Sequence, residues 1–258
     1  MAGFANKGLW IVYLDTQEDE NRLFHNAQLM GAGAVAIRSD SSRLTTCMAR
    51  FKAANFKVYS WRWPAVVQNQ GGRFATDEAN YVAQTLIPAG LDGYIVDPES
   101  EQDGASNDWN RIDVPVAQLA TTFGQIIQKA AQAAGRADFV FGITSGQDYP
   151  ASRPHIPWKE FVAVSDALFP QVYWRARDNN DVCQLVKDGK PDSAFDRALP
   201  CWRAIANGKP IIPMAGELGC VRDRQELTAF AQRAKKEVLT KMHFYADEPQ
   251  LYPFIKTL

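Results

Sequence analysis

The sequence predicts an α/β protein, a single (β/α)8 TIM barrel that takes up residues 1–258 as one domain. Strand-like and helix-like segments alternate from end to end, the pattern of a parallel sheet with crossover helices. The strand-like segments are unbroken apolar runs such as Ile11-Val12-Tyr13-Leu14 and Ile211-Ile212, as expected of parallel strands buried on both faces. The chain has 258 residues, close to the about 250 that such a barrel takes. A doubly wound open sheet would put a glycine-rich phosphate turn after an early strand. Asp15-Thr16-Gln17-Glu18, after the first run, has no glycine.

The elements follow in order. Leu9–Leu14 reads as the first strand, and Leu23, Ala27 and Met30 give the next helix its apolar stripe. Ala34–Arg38 is the second strand, and Ser41 or Ser42 is placed to cap a helix ending near Asn55. Lys57–Trp61 is the third strand, and Thr76 heads a helix to about Leu86. Gly93–Asp97 is the fourth strand, followed by a helix over Val114–Ala134 that Gly135 stops. Phe139–Thr144 is the fifth, with a short helix over Trp158–Val164 after a proline-rich loop. Phe169–Tyr173, Pro210–Met214 and Met242–Tyr245 complete the strands. Helices are expected at Ala194–Asn207, Asp223–Val238 and Leu251–Thr257.

The charge balance narrows the function. With 28 basic and 29 acidic residues the net charge is −1, which argues against nucleic acid as a partner, since that needs a basic face. No run approaches the roughly 20 apolar residues of a membrane span, so no membrane partner is expected. The N-terminal residues lack a signal-peptide layout, which predicts a cytoplasmic location. Cys47, Cys183, Cys201 and Cys220 show no metal-ligand spacing and read as free thiols, with a Cys183–Cys201 bridge as the alternative. His25, His155 and His243 are scattered, so neither metal nor other cofactor is expected.

In a barrel of this type the active site lies at the C-terminal strand ends. These carry many carboxylates and aromatics here and no Ser-His-Asp or Cys-His set. The fourth strand runs Leu91-Asp92-Gly93-Tyr94-Ile95-Val96-Asp97-Pro98-Glu99. Strand alternation puts Ile95, Asp97 and Glu99 on one side, toward the barrel axis. Two carboxylates so spaced repel across a partly desolvated mouth, which lets one stay protonated as a general acid.

This segment resembles the fourth-strand motif Asp-Gly-x-Asp-x-Asp-x-Glu of chitinase-like family 18 glycoside hydrolases. Asp92-Gly93 and Asp97-Pro98-Glu99 match, and Ile95 stands where the middle Asp would be. Gln171-Val172-Tyr173 is similar to the Gln-x-Tyr found at that family's sixth strand. The resemblance implies that Glu99 protonates the glycosidic oxygen and that Asp97 helps position the substrate's N-acetyl group, with Tyr173 beside it. It implies a carbohydrate substrate. Glu217, just after the seventh strand, sits where many retaining glycosidases of this fold carry a nucleophile.

Trp61, Trp63 and Trp174 join Tyr173 as flat surfaces at the mouth, suited to the apolar faces of sugar rings. Trp61 and Trp63 share a face by alternation, so both look into the mouth or neither does. Trp10, Trp158 and Trp202 are assigned to packing. Arg38, Gln171, Arg175 and Asp247 are the remaining candidate substrate-binding residues, the two arginines holding an acidic group or pairing with Asp97 and Glu99. Two other functions fit the same residues. One is a barrel that binds carbohydrate without cleaving it, which the Ile95 replacement favours. The other is an enzyme that holds magnesium on Asp97, Glu99 and Asp247.

Overall fold

The barrel closes. A computed structural model describes residues 3–100, 102–178, 180–246 and 248–258. Its elements are β1 (Lys7–Ile11), α1 (Gln17–Met30), β2 (Ala34–Arg38), α2 (Leu44–Ala53), β3 (Lys57–Arg62), α3 (Ala75–Tyr81), β4 (Gly93–Val96), α4 (Val116–Ala133), β5 (Val140–Gly146), α5 (Tyr149–Ser152), α6 (Trp158–Val164), β6 (Ala167–Gln171), β7 (Arg175–Arg177), β8 (Cys183–Leu185), α7 (Pro191–Ile205), β9 (Met214–Ala215), α8 (Arg224–Lys236), β10 (Met242–Tyr245) and α9 (Tyr252–Ile255). Eight strands pair in parallel in the order β1-β2-β3-β4-β5-β6-β9-β10, and β10 returns to β1. β7 and β8 form a separate antiparallel hairpin in the loop after the sixth barrel strand.

Strand alternation sorts the core into two layers. Leu9, Val35, Ile37, Val58, Tyr94, Val96 and Ile143 point outward and pack against the helices. Trp10, Ala34, Ala36, Tyr59, Trp61, Ile95, Phe169 and Met214 point inward and fill the barrel. Small residues opposite large ones let the rings interlock. Gly93 is needed for this fit, because a Cβ there would lie 2.6 Å from Val140 and 3.1 Å from the Tyr59 ring. Phe4 plugs the N-terminal end of the barrel, edge-on to Tyr59 and Phe169. His243 sits fully buried in the same layer. Its Nδ1 accepts from the Trp10 indole at 2.8 Å, and its Nε2 lies 3.2 Å from the Ala5 carbonyl.

Several boundaries move from their expected places. β1 ends at Ile11, so Val12–Leu14 leave the sheet and Tyr13 becomes exposed. β6 spans Ala167–Gln171, which puts Tyr173 two residues beyond the strand. The seventh barrel strand shrinks to Met214–Ala215, with Ile211 making one isolated bridge to Leu168. Pro210 and Pro213 have no N–H to give a ladder, which breaks the expected Pro210–Met214 strand. Neither Ser41 nor Ser42 caps α2; their hydroxyls turn to the Val12 carbonyl and to Asp15 instead. Thr76 lies inside α3, whose first N–H is satisfied by the Ala65 carbonyl at 2.8 Å.

The cysteines also differ from expectation. Cys183 on β8 is joined to Cys220, in the turn after β9, with their Cα atoms 5.4 Å apart. The free-thiol reading fails for Cys183 and Cys220 but holds for Cys47 and Cys201, and the Cys183–Cys201 alternative fails. Cys201 lies on α7, where its thiol donates to the Arg197 carbonyl. The hairpin instead folds over the turn that carries Cys220. Among the described residues, no helix is long and apolar enough to cross a membrane.

Candidate functional site

β4 ends at Val96, but the pairing runs one residue further, because the Asp97 N–H donates to the Arg62 carbonyl at 2.8 Å. Alternation therefore turns the Asp97 carboxylate into the barrel mouth, where it is only 4% exposed. The Gln171 side-chain amide donates to both Asp97 oxygens, at 3.3 and 3.5 Å. The next residues are held from both sides. Ser145 Oγ donates to the Pro98 carbonyl at 2.8 Å, and the Trp109 N–H donates to the Glu99 carbonyl at 2.9 Å. Trp109 is fully buried, and its indole donates to the Pro64 carbonyl. Glu99 is thus a half-buried carboxyl on a fixed backbone.

Glu217 reaches the same place from the other wall. Its N–H donates to the Arg175 carbonyl at 3.0 Å. Its Oε2 accepts from the Arg177 N–H at 3.2 Å and lies 3.5 Å from the Arg177 guanidinium. The β7–β8 hairpin therefore sets the position of this carboxyl, and the Cys183–Cys220 bridge ties the two segments together. Burial raises the Glu217 pKa, and Arg177 offsets only part of that. Tyr173 and Tyr245 stack on each other in the same cleft as the carboxylates, with ring centroids 6.1 Å apart and planes 9° from parallel. Gly216 permits the approach, since a Cβ there would come within 2.5 Å of the Tyr173 ring. Burial drives the Tyr173 hydroxyl well above its usual pKa, and the neighbouring Tyr245, Asp97, Glu217 and Glu99 push it the same way. Burial, Glu217 and Asp97 likewise raise Tyr245. Both phenols stay protonated and can donate hydrogen bonds.

These groups meet in one cleft of about 320 Å³. Asp97, Glu99, Gln171, Tyr173 and Glu217 line it, with Trp61 and Trp63 beside them. Trp61 is 3% exposed, and its indole donates to the Ile11 carbonyl, so it forms floor, whereas Trp63 is half-buried. Trp10, assigned to packing, packs against Trp61 and also lies at the base of the cleft.

Other expected site residues sit elsewhere. Trp174 is fully buried, tilted against Phe230, with its indole N–H on Glu226 at 3.0 Å. Past the end of β6 the alternation continues: Tyr173 faces inward and Trp174 outward, so Trp174 is no mouth aromatic. At Arg175 the alternation stops: its guanidinium turns to the same partner as Trp174 and forks onto Glu226, at 3.0 Å from Nε and 2.7 Å from Nη2. It is 8% exposed and has no path to a ligand in the cleft. Arg38 pairs with Asp40 and lies over the rings of Tyr13 and Trp63, at 4.7 and 5.4 Å. Asp247 lies outside the described residues. Among those residues, no group of three or more His, Cys, Asp or Glu is arranged to hold a metal ion.

Asn107 and Tyr245 also line the cleft and were missed. Tyr245 was signalled by its place at the end of the eighth barrel strand, two residues after inward-facing His243. Asn107 comes from the long loop after β4 and has no local signal.

No protein-family model matches the sequence, and no curated protein matches it. Solved structures match along nearly the whole chain. The PgaB (BpsB) glycoside hydrolase domain from Bordetella bronchiseptica superposes with a TM-score of 0.66 at 11% identity, over 98% of this chain and 97% of that one. A chitinase from Rhizomucor miehei gives 0.62 at 10% identity, over 97% and 98%. A mannanase from Bacillus subtilis gives 0.53 at 12% identity, over 97% and 83%. At these identities the likeness establishes the fold, a (β/α)8 barrel of the kind glycoside hydrolases use.

Proposed function

We propose that this protein hydrolyses a glycosidic bond in an oligosaccharide or polysaccharide, with Glu99 as the general acid. The observation that carries the reading is the convergence of Asp97, Glu99 and Glu217 with Tyr173 on one aromatic-lined cleft at the C-terminal end of the barrel. Such barrels carry their chemistry at that end. The fold shared with a glycoside hydrolase domain, a chitinase and a mannanase supports the same reading.

The residues divide the work by position. Glu99 gives its proton to the glycosidic oxygen as the bond to the anomeric carbon breaks. Positive charge then builds on the sugar ring, facing the carboxylates of Asp97 and Glu217. Gln171 orients Asp97, and Arg177 orients Glu217. The protonated Tyr173 hydroxyl donates a hydrogen bond to substrate oxygen in the same space. Water supplies the hydroxyl that ends on the anomeric carbon, and its remaining proton restores Glu99. Carboxylates and water suffice for this chemistry.

The Cys183–Cys220 bridge supports an oxidising compartment in place of the cytoplasm expected from the sequence. A second reading, binding without cleavage, is favoured by Ile95. That side chain is fully buried in the barrel core, directly below Asp97 along β4, where the resembling family has a carboxylate. Product release from chitin- and mannan-derived oligosaccharides decides between the readings. Turnover supports the hydrolase, and saturable binding with no product supports the binding barrel.

A further inference from the structure

We propose that the cleft continues past Glu217 and Tyr245 into a second sugar-binding lobe built on Tyr13, so that the protein takes an extended glycan and cuts it at an internal bond. The inference rests on the hydrolase reading and extends it to the class of substrate.

A cavity of about 380 Å³ adjoins the catalytic cleft, and Glu217 and Tyr245 line both. Each lobe alone is at the small end of ligand sites, which run about 300–1,000 Å³. A substrate held in one lobe ends at the wall of Glu217 and Tyr245; a longer one must pass it. The bond beside the carboxylates then lies inside the chain, with further units in the second lobe on one side and in the first lobe on the other.

The second lobe has the chemistry of a sugar site. Ile11, Val12 and Leu23 give it an apolar floor. One rim comes from α1 with the Asp19–Arg22 pair at 2.9 Å, the other from the hairpin with Arg177–Asp181 at 3.2 Å. Ionised groups on both rims offer donors and acceptors to hydroxyls without presenting one net sign of charge, which suits a neutral sugar. The hairpin rim is fixed by the Cys183–Cys220 bridge.

Tyr13 is the distinctive residue. It is 64% exposed, an unusual state for an aromatic ring, and it borders this lobe. The Arg38 guanidinium lies 4.7 Å from its ring centre and 5.4 Å from that of Trp63, linking the Tyr13 platform to the Trp63 wall of the first lobe. The Arg38 guanidinium packs over its ring, and most of the side chain stays open to solvent. A flat ring with a free face is what the apolar side of a sugar stacks on, and two torsions make it cheap to order.

The test uses Glu99→Gln, which removes the proton donor and keeps ligands intact for titration calorimetry. Chito- and manno-oligosaccharides from disaccharide to hexasaccharide are the probes, chosen because a chitinase and a mannanase share the fold. Affinity should rise with length as the second lobe fills. Adding Tyr13→Ala should cut the hexasaccharide-to-disaccharide affinity ratio roughly tenfold, the size of one lost stacking contact. Tyr13→Trp should preserve it. If wild-type protein cuts the oligosaccharides and the ratio is the same with and without the Tyr13 ring, the second lobe is wrong and the hydrolase reading stands. If neither series is bound or cut, both fall together.

Discussion

Acid should destabilise this protein through one histidine. His243 is buried in the barrel with the Trp10 indole N–H on its Nδ1 and the Ala5 carbonyl at its Nε2. The neutral ring satisfies both neighbours: Nδ1 accepts, and Nε2–H donates. Protonation puts an N–H on Nδ1, facing another N–H donor, and leaves a charge without water. Burial accordingly lowers the His243 pKa from 6.5 to about 4. The folded pKa is depressed, so the stability from neutral His243 is complete above about pH 6.5 and is lost as pH falls toward 4. At about 1.4 kcal/mol per unit, the loss approaches about 3 kcal/mol, a large share of a typical 5–15 kcal/mol total. Urea unfolding at about pH 7, 5.5 and 4 measures it. Other groups lose stability in the same range, such as Glu226, where burial raises the pKa but Arg175 and the Trp174 indole more than offset it. His243→Gln isolates the histidine, because its amide can accept from Trp10 and donate to Ala5 without titrating. Wild type should lose about 3 kcal/mol more than the variant between neutral pH and pH 4. Equal losses in the two proteins would refute the reasoning.

Two further outcomes follow from the site. Tyr173→Phe should lower kcat about tenfold or more with little change in KM, because a hydroxyl aimed at developing charge acts mainly in the transition state; a change in KM alone makes Tyr173 a simple binding residue. Replacing both Cys183 and Cys220 by serine should cost up to about 4 kcal/mol in urea unfolding, from the 37-residue separation that the bridge closes. It should also lower kcat, because the hairpin that holds Glu217 loosens; normal kcat at full folding would show that the bridge plays no part in positioning it.

The sequence exposes the barrel well because its signals are local. β2, α6 and β10 fall on the expected residues, since Ala34–Arg38, Trp158–Val164 and Met242–Tyr245 are each bounded by polar or turn residues. Asp97 and Glu99 are legible for a similar reason: an uninterrupted apolar strand runs straight into them. The resemblance at Asp92-Gly93 turns out to be architectural. Asp92 is 2% exposed and accepts from the Val58 N–H and from Lys57, while Gly93 fits against Val140 and Tyr59. Trp174 was misplaced because a side chain's face depends on where alternation stands at the strand end, and Arg175 because its fork onto Glu226 carries it away from the mouth. Two residues of drift in β6 do not change that parity, but reading Tyr173 and Trp174 together as mouth residues ignores it. Cys220, Asn107 and Tyr13 were illegible for a different reason. What they meet, Cys183 for Cys220, the cleft for Asn107 and Arg38 for Tyr13, lies on other segments of the chain, and only the closed barrel brings those segments together.

The central claim is that Glu99 delivers the proton, and the direct measurement is product release by wild type and Glu99→Gln on the same oligosaccharides, with circular dichroism to confirm an unchanged fold. Gln keeps the shape of the side chain and its Trp109-anchored backbone but cannot supply an acid proton. The rate should fall about 10²–10⁴-fold while oligosaccharide binding persists. A Glu99→Gln protein that folds normally, binds its substrate and still turns over at a near-normal rate contradicts the account.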